Sequence, residues 1–131
     1  MSRILIVDDE PSSLKLFCRV LGPAGLDVHP VSSGAEALLA LREDRDFDVV
    51  LSDLWMPGLD GVQLLREVRN EFQDRPWLQF VMVSGNATLD SAVRAIHGDA
   101  CGYLFKPIVP RDLIATVKQA AKRAADARAA A

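Results

Sequence analysis

The sequence predicts an α/β domain, a parallel sheet covered by helices on both faces. Strand and helix patterns alternate, β-α, five times along the chain without an obvious linker. The strand candidates are short continuous apolar runs rather than alternating ones, the pattern of strands buried on both sides. At 131 residues the chain suits one domain and is too short for two of ordinary size. Each β-α-β crossover is then right-handed.

The first strand is Ile4-Leu5-Ile6-Val7, which stops at Asp8-Asp9-Glu10-Pro11. Pro11 suits the first turn of a helix, where a missing N–H costs nothing. Leu14, Phe17, Cys18 and Leu21 recur at helical spacing until Gly22-Pro23 ends the pattern. Leu26 to Val31 is a second strand, interrupted by Pro30 and therefore placed near an edge. Gly34 opens a second helix through Ala37, Leu38 and Leu41, and Phe47 to Ser52 forms a third strand ending at Asp53. After the loop from Leu54 to Gly61, a third helix carries Val62, Leu65, Val68 and Phe72 on one stripe. Pro76 breaks the chain ahead of a fourth strand, Trp77 to Val83, ending at Ser84. Gly85 to Thr88 leads into a fourth helix with Leu89, Ala92, Val93 and Ile96. The fifth strand, Gly102 to Phe105, ends at Lys106-Pro107. The last helix starts near Pro110 and runs through Leu113, Ile114 and Val117 into an alanine-rich tail.

Half the residues are apolar, a quarter are charged and the net charge is −3. That balance argues against a protein that coats nucleic acid or rides a membrane surface. No apolar run approaches the ~20 residues of a membrane span, and the N-terminus does not resemble a signal peptide. A domain of this size buries roughly two thirds of its unfolded surface and needs no disulfide or structural metal. Cys18 and Cys101, far apart and without metal-ligand spacing, read as reduced thiols in a cytoplasmic protein.

In an open parallel sheet, function collects beyond the carboxyl ends of the strands. Those ends carry Asp8 and Asp9, Asp53, Ser84 and Lys106. Each alone has an ordinary explanation: an Asp or Ser after a strand usually caps the next helix, and a lone Lys is usually solvated. Caps do not explain why several strands should direct acids to one edge. Converging carboxylates repel unless something positive neutralises them. Lys106 is one candidate, and a hard divalent cation such as Mg²⁺, which takes one or two carboxylates plus phosphate oxygens, is another. Carboxylate, metal, hydroxyl and amine together are the parts of phosphoryl transfer to an Asp.

Four segments carry a resemblance: Ile4 to Glu10, Asp53 to Gly61, Val83-Ser84-Gly85 and Tyr103 to Pro107. In this order they resemble the receiver domain of two-component response regulators, the CheY-like family, over about residues 3 to 122. The resemblance implies a flavodoxin-like fold, a doubly wound five-stranded parallel sheet of order 2-1-3-4-5 flanked by five helices. It implies a receiver over 1–122, with 123–131 as the alanine-rich end of the last helix or the start of a linker. It implies that Asp53 is the phosphoacceptor, that Asp9 binds Mg²⁺ directly, and that Asp8 acts mainly through a metal-bound water. Trp55 would give its backbone carbonyl to the metal. Lys106 would pair with the phosphoryl group, Ser84 and Tyr103 would be the switch hydroxyl and switch aromatic, and Lys106–Pro107 would be cis. Asp99 departs from the Gly of many relatives, and Trp55 and Asn86 occupy variable positions beside the acceptor.

The function so implied is a phosphorylation-controlled signalling switch rather than a metabolic enzyme. It takes a phosphoryl group from a histidine kinase or phosphotransfer protein and slowly hydrolyses it. An output domain or downstream protein would dock on the face of the fourth helix, fifth strand and last helix. The alternative is a pseudo-receiver that only binds protein, but such domains usually lose an acid or the lysine, and none is lost here. A haloacid-dehalogenase-type phosphatase would need its nucleophile after the first strand in an Asp-x-Asp pattern. A dinucleotide-binding domain would need Gly-x-Gly-x-x-Gly there. His29 and His97 read as surface side chains, Trp77 and Phe80 as strand packing. Lys118 to Arg128 reads as a solvated helix whose apolar spacing of three and four also suits a homodimer seam.

Overall fold

The computed structural model describes residues 1–85, 100 and 102–130. Five parallel strands, β1 (Arg3–Val7), β2 (Asp27–Val31), β3 (Val49–Asp53), β4 (Gln79–Ser84) and β5 (Gly102–Phe105), form one sheet in the order β2-β1-β3-β4-β5. The helices are α1 (Pro11–Leu21), α2 (Gly34–Glu43), α3 (Gly61–Glu71) and α4 (Pro110–Ala130). The fourth helix expected around Leu89 to Ile96 lies outside the described residues, as do His97, Asp99 and Cys101.

Continuous apolar strands are what this architecture requires, because successive side chains enter opposite cores. Leu5, Val7, Val50, Phe80 and Met82 meet Leu41 of α2 and Leu65 and Val68 of α3 on one face. Ile4, Ile6, Val49, Leu51, Val81 and Val83 meet Phe17 and Leu21 of α1 and Leu113 and Val117 of α4 on the other. β2 is an edge strand, which is how Pro30 is tolerated opposite Ile6.

Two strands start later than their apolar runs suggest. β4 begins at Gln79 because the Leu78 N–H is spent in a turn, donating to the Arg75 carbonyl at 3.2 Å. Trp77 therefore packs from that turn, while Phe80 is buried in the sheet. β3 begins at Val49, two residues past Phe47. His29 is half-exposed but not idle: its ring stands edge-on to Phe47, centroids 5.4 Å apart, beside Arg3 and Asp27. Cys18, on α1, is a free, half-buried thiol, and burial pushes its pKa up.

The tail differs more from the solvated helix its composition suggests. Ala120, Ala121 and Ala124 are buried, so the spacing that suits a dimer seam is occupied by the domain itself. Alanine lets a helix approach closely, and α4 uses that to lie along β3 and β4.

Candidate functional site

Parallel strands bring their carboxyl ends to one edge, and that edge carries the predicted polar residues. Asp8 and Asp9 follow β1, Asp53 closes β3, Ser84 closes β4 and Lys106 follows β5. Two backbone bonds keep these ends in step: the Leu54 N–H donates to Val83 at 2.7 Å, and the Lys106 N–H to Ser84 at 2.8 Å.

One carboxylate oxygen from each of Asp8, Asp9 and Asp53 lies within 4.8 Å of the others. Lys106 Nζ stands 3.7 Å from Asp53 Oδ2 and 4.0 Å from Asp8 Oδ2. Asp8 is wholly buried and Asp53 is 6% exposed, whereas Asp9 faces solvent. Burial drives both the Asp8 and the Asp53 carboxyl above the ordinary carboxylate range. The Lys106 ammonium opposes this, and each acid's neighbours reinforce it.

Neither buried acid caps a helix. Asp8 Oδ1 accepts the Glu10 N–H at 2.9 Å, and Asp53 accepts the Trp55 N–H, both two residues ahead in turns. The following helices have other caps: Glu10 precedes α1 without a side-chain bond, and Asp60 caps α3. The ordinary explanation for these aspartates therefore fails at both positions.

Asp8 Oδ2 is buried and has no hydrogen-bond partner. Such an orphaned acceptor is costly unless a positive group meets it. An all-oxygen donor set, one orphan oxygen and mutual repulsion fit a hard divalent cation. The cluster could hold a metal ion, each of Asp8, Asp9 and Asp53 offering one carboxylate oxygen.

Around this core, the Trp55 side chain, two residues past Asp53, is half-exposed. Ser84 is buried, and Tyr103 is half-buried, stacked on Phe105 with centroids 6.0 Å apart. Lys106–Pro107 is cis. The sequence marks Gly61 only as the end of a loop and a motif, without its packing role. A Cβ there would stand 2.6 Å from the Asp53 carbonyl oxygen and 2.7 Å from Met82 Sδ, so only glycine lets α3 start against β3 and β4. Asp60 and Gln63 close a capping box at the same place. The Asp-Gly-x-Gln spacing was the available signal. The Ser52 hydroxyl, donating to the Asp53 carbonyl at 2.9 Å, left no such signal.

Residues 4–118 match the family model described as the response regulator receiver domain. The DNA-binding response regulator MtrA of Mycolicibacterium smegmatis is 34% identical over 124 residues, covering 95% of this chain and 52% of that protein. The two-component response regulator ORR21 of Oryza sativa is 37% identical over 112 residues, covering 85% of this chain and 16% of its own length. A receiver domain crystal structure from Clostridium thermocellum superposes with a TM-score of 0.85 at 31% identity, covering 94% of this chain and 96% of that one. The chain thus spans about half the length, or less, of these curated relatives.

Proposed function

The chain belongs to the family of response regulator receiver domains, and from that premise we propose that Asp53 accepts a phosphoryl group from a histidine kinase or phosphotransfer protein in the cytoplasm. The observation that carries this reading is the Asp53 carboxylate, buried at a strand end with an ammonium 3.7 Å away and two further acids around it. A receiver domain is a regulatory switch, so the reaction is self-directed.

An Asp53 oxygen attacks phosphorus, and the bond from phosphorus to the donor imidazole nitrogen breaks, leaving an acyl phosphate on Asp53. Lys106 pairs with a phosphoryl oxygen, trading one carboxylate contact for a charge-assisted bond. In the slow return step water attacks phosphorus, the bond to Asp53 breaks, and inorganic phosphate leaves. Asp9, Asp53 and the Trp55 carbonyl would hold Mg²⁺ directly and Asp8 mainly through water. When bound, Mg²⁺ supplies positive charge against the phosphoryl oxygens.

The signal is read by Ser84 and Tyr103. The Ser84 hydroxyl donates to a phosphoryl oxygen, and Tyr103 turns from its half-buried stack on Phe105 into the space this opens. The altered surface on β5 and α4 meets an output domain or downstream protein. Incubation with Mg²⁺ and acetyl phosphate should add one phosphoryl group by intact mass. Asp53→Asn should add none; modification as fast as wild type would overturn the assignment.

A further inference from the structure

The pole of the sheet opposite the acidic cluster holds a second set of interlocked charges that phosphoryl chemistry does not use. Phe47 and Asp48 precede β3 and Trp77 precedes β4, and the end of α4 reaches all three through one side chain. Arg128 Nη2 donates to the Phe47 carbonyl at 3.1 Å. Its Nε is ion-paired with Asp48 Oδ1 at 3.1 Å, and its Cζ lies 4.5 Å above the Trp77 ring. The receiving groups are themselves fixed. Trp77 Nε1 donates to the same Phe47 carbonyl at 3.3 Å, and the other Asp48 oxygen accepts the Arg3 N–H at 2.9 Å.

This guanidinium donates to a carbonyl, pairs with a carboxylate and stacks on an indole at once, which suits its planar shape better than an ammonium. Ala124 is the last fully buried residue of the helix. Beyond it Ala125, Asp126, Ala129 and Ala130 are exposed, and Ala127 and Arg128 are half-buried. Helical turns with little packing open locally at low cost. Past Ala124, the Arg128 side chain ties the last turns to the domain.

We infer that Phe47, Asp48 and Trp77 form an intramolecular docking surface whose occupant is the chain's own helix end, with Arg128 as its latch. Docked, the helix end points in one direction from the pole opposite Asp53, and its inner face is in use. Released, the end frays and the Trp77 face becomes free for another helix. The latch thus sets how the domain presents its C-terminal end.

Hydrogen–deuterium exchange of the full chain tests this. In Arg128→Ala the amides of residues 125–130 should exchange faster by about tenfold or more, the scale set by losing a charged hydrogen bond, while β1 and β3 keep their protection. Arg128→Lys should fail to restore slow exchange, because it supplies charge without the planar group that stacks on Trp77 while bonding the Phe47 carbonyl. Asp48→Asn, which keeps an acceptor for the Arg3 N–H, should also speed exchange of the same amides. This second variant decides the matter if Arg128→Ala loses protection throughout. Equal exchange of 125–130 in wild type and Asp48→Asn, or full protection in Arg128→Lys, would overturn the latch.

Discussion

Asp8 and Asp53 hold carboxyl groups where burial opposes their charge, and this has a definite sign in pH. Each folded-state pKa is raised above its unfolded value. The fold is then favoured while both carboxyls are protonated, and that advantage is lost as pH rises through the raised folded values. Without metal, Asp53→Asn should therefore stabilise the domain at neutral pH. The expected gain is on the order of 1 kcal/mol, or about 4 °C in melting temperature. The difference should shrink toward zero as the pH falls below the ordinary carboxylate pKa of ~3.9. Calorimetry of both proteins from acid to neutral pH checks it; a variant less stable than wild type at pH 7 would show that Asp53 is a stabilising group. Ser84 makes a different prediction at this scale. Ser84→Ala should still take a phosphoryl group at Asp53 but respond less to beryllofluoride, a phosphoryl mimic. Amide NMR shifts across residues 102–118 as large as those of wild type would remove Ser84 from the coupling.

Among the elements, α3 does most to shape the site without touching the reacting atoms. Its first residue packs on the Asp53 carbonyl, and Asp60 and Gln63 satisfy each other's backbone donors at its N-terminus. Gly61→Ala forces a Cβ into backbone and sulfur at under 3.0 Å, so α3 must move away from β3. The expected cost is about 1–3 kcal/mol, as for other overpacked cores, together with slower phosphorylation because the Asp53 carbonyl moves with it. Asp60→Ala removes only the cap and should cost ~1 kcal/mol with the phosphorylation rate nearly unchanged. Urea midpoints and acetyl phosphate rates separate the two. Equal rates in both variants would mean that α3 does not position the acceptor.

For the whole molecule, the repulsion within the cluster makes metal binding and folding one equilibrium. A cation that binds only the folded state stabilises it by about 2.7 kcal/mol at a hundred times its dissociation constant. Mg²⁺ should therefore raise the melting temperature of wild type in a concentration-dependent way. Asp9→Ala, which removes the exposed carboxylate donor, should weaken that response while the apo protein stays folded. On the proposed reading, in which Asp8 reaches the ion mainly through water, Asp8→Ala should weaken it less. A thermal shift in Asp9→Ala as large and as sensitive as wild type would remove Asp9 from the ligand set.

Much of this was legible in the residues. Ile4 to Val7 and Val49 to Leu51 are apolar without alternation, and a strand of that kind must lie between two layers. Asp53 and Lys106 stand at strand ends, and in a parallel sheet every such end faces the same way. Pro30 announced an edge. Local composition was weaker where a long-range contact overrode it. Trp77 reads as strand, yet the turn bond from Leu78 to Arg75 takes the donor that a ladder needs. Lys118 to Arg128 reads as a solvated helix, yet Ala120, Ala121 and Ala124 are buried and Arg128 crosses 81 positions of sequence to reach Phe47. The close approach at Gly61 depends on where β3 and β4 lie beside it. The sequence by itself determined the order of elements and the edge on which the acids gather, because both follow from period and position along the chain. Only the tertiary structure decided which oxygen is left without a hydrogen bond, which helix end is held and by what, because those are distances between residues that the chain does not place side by side.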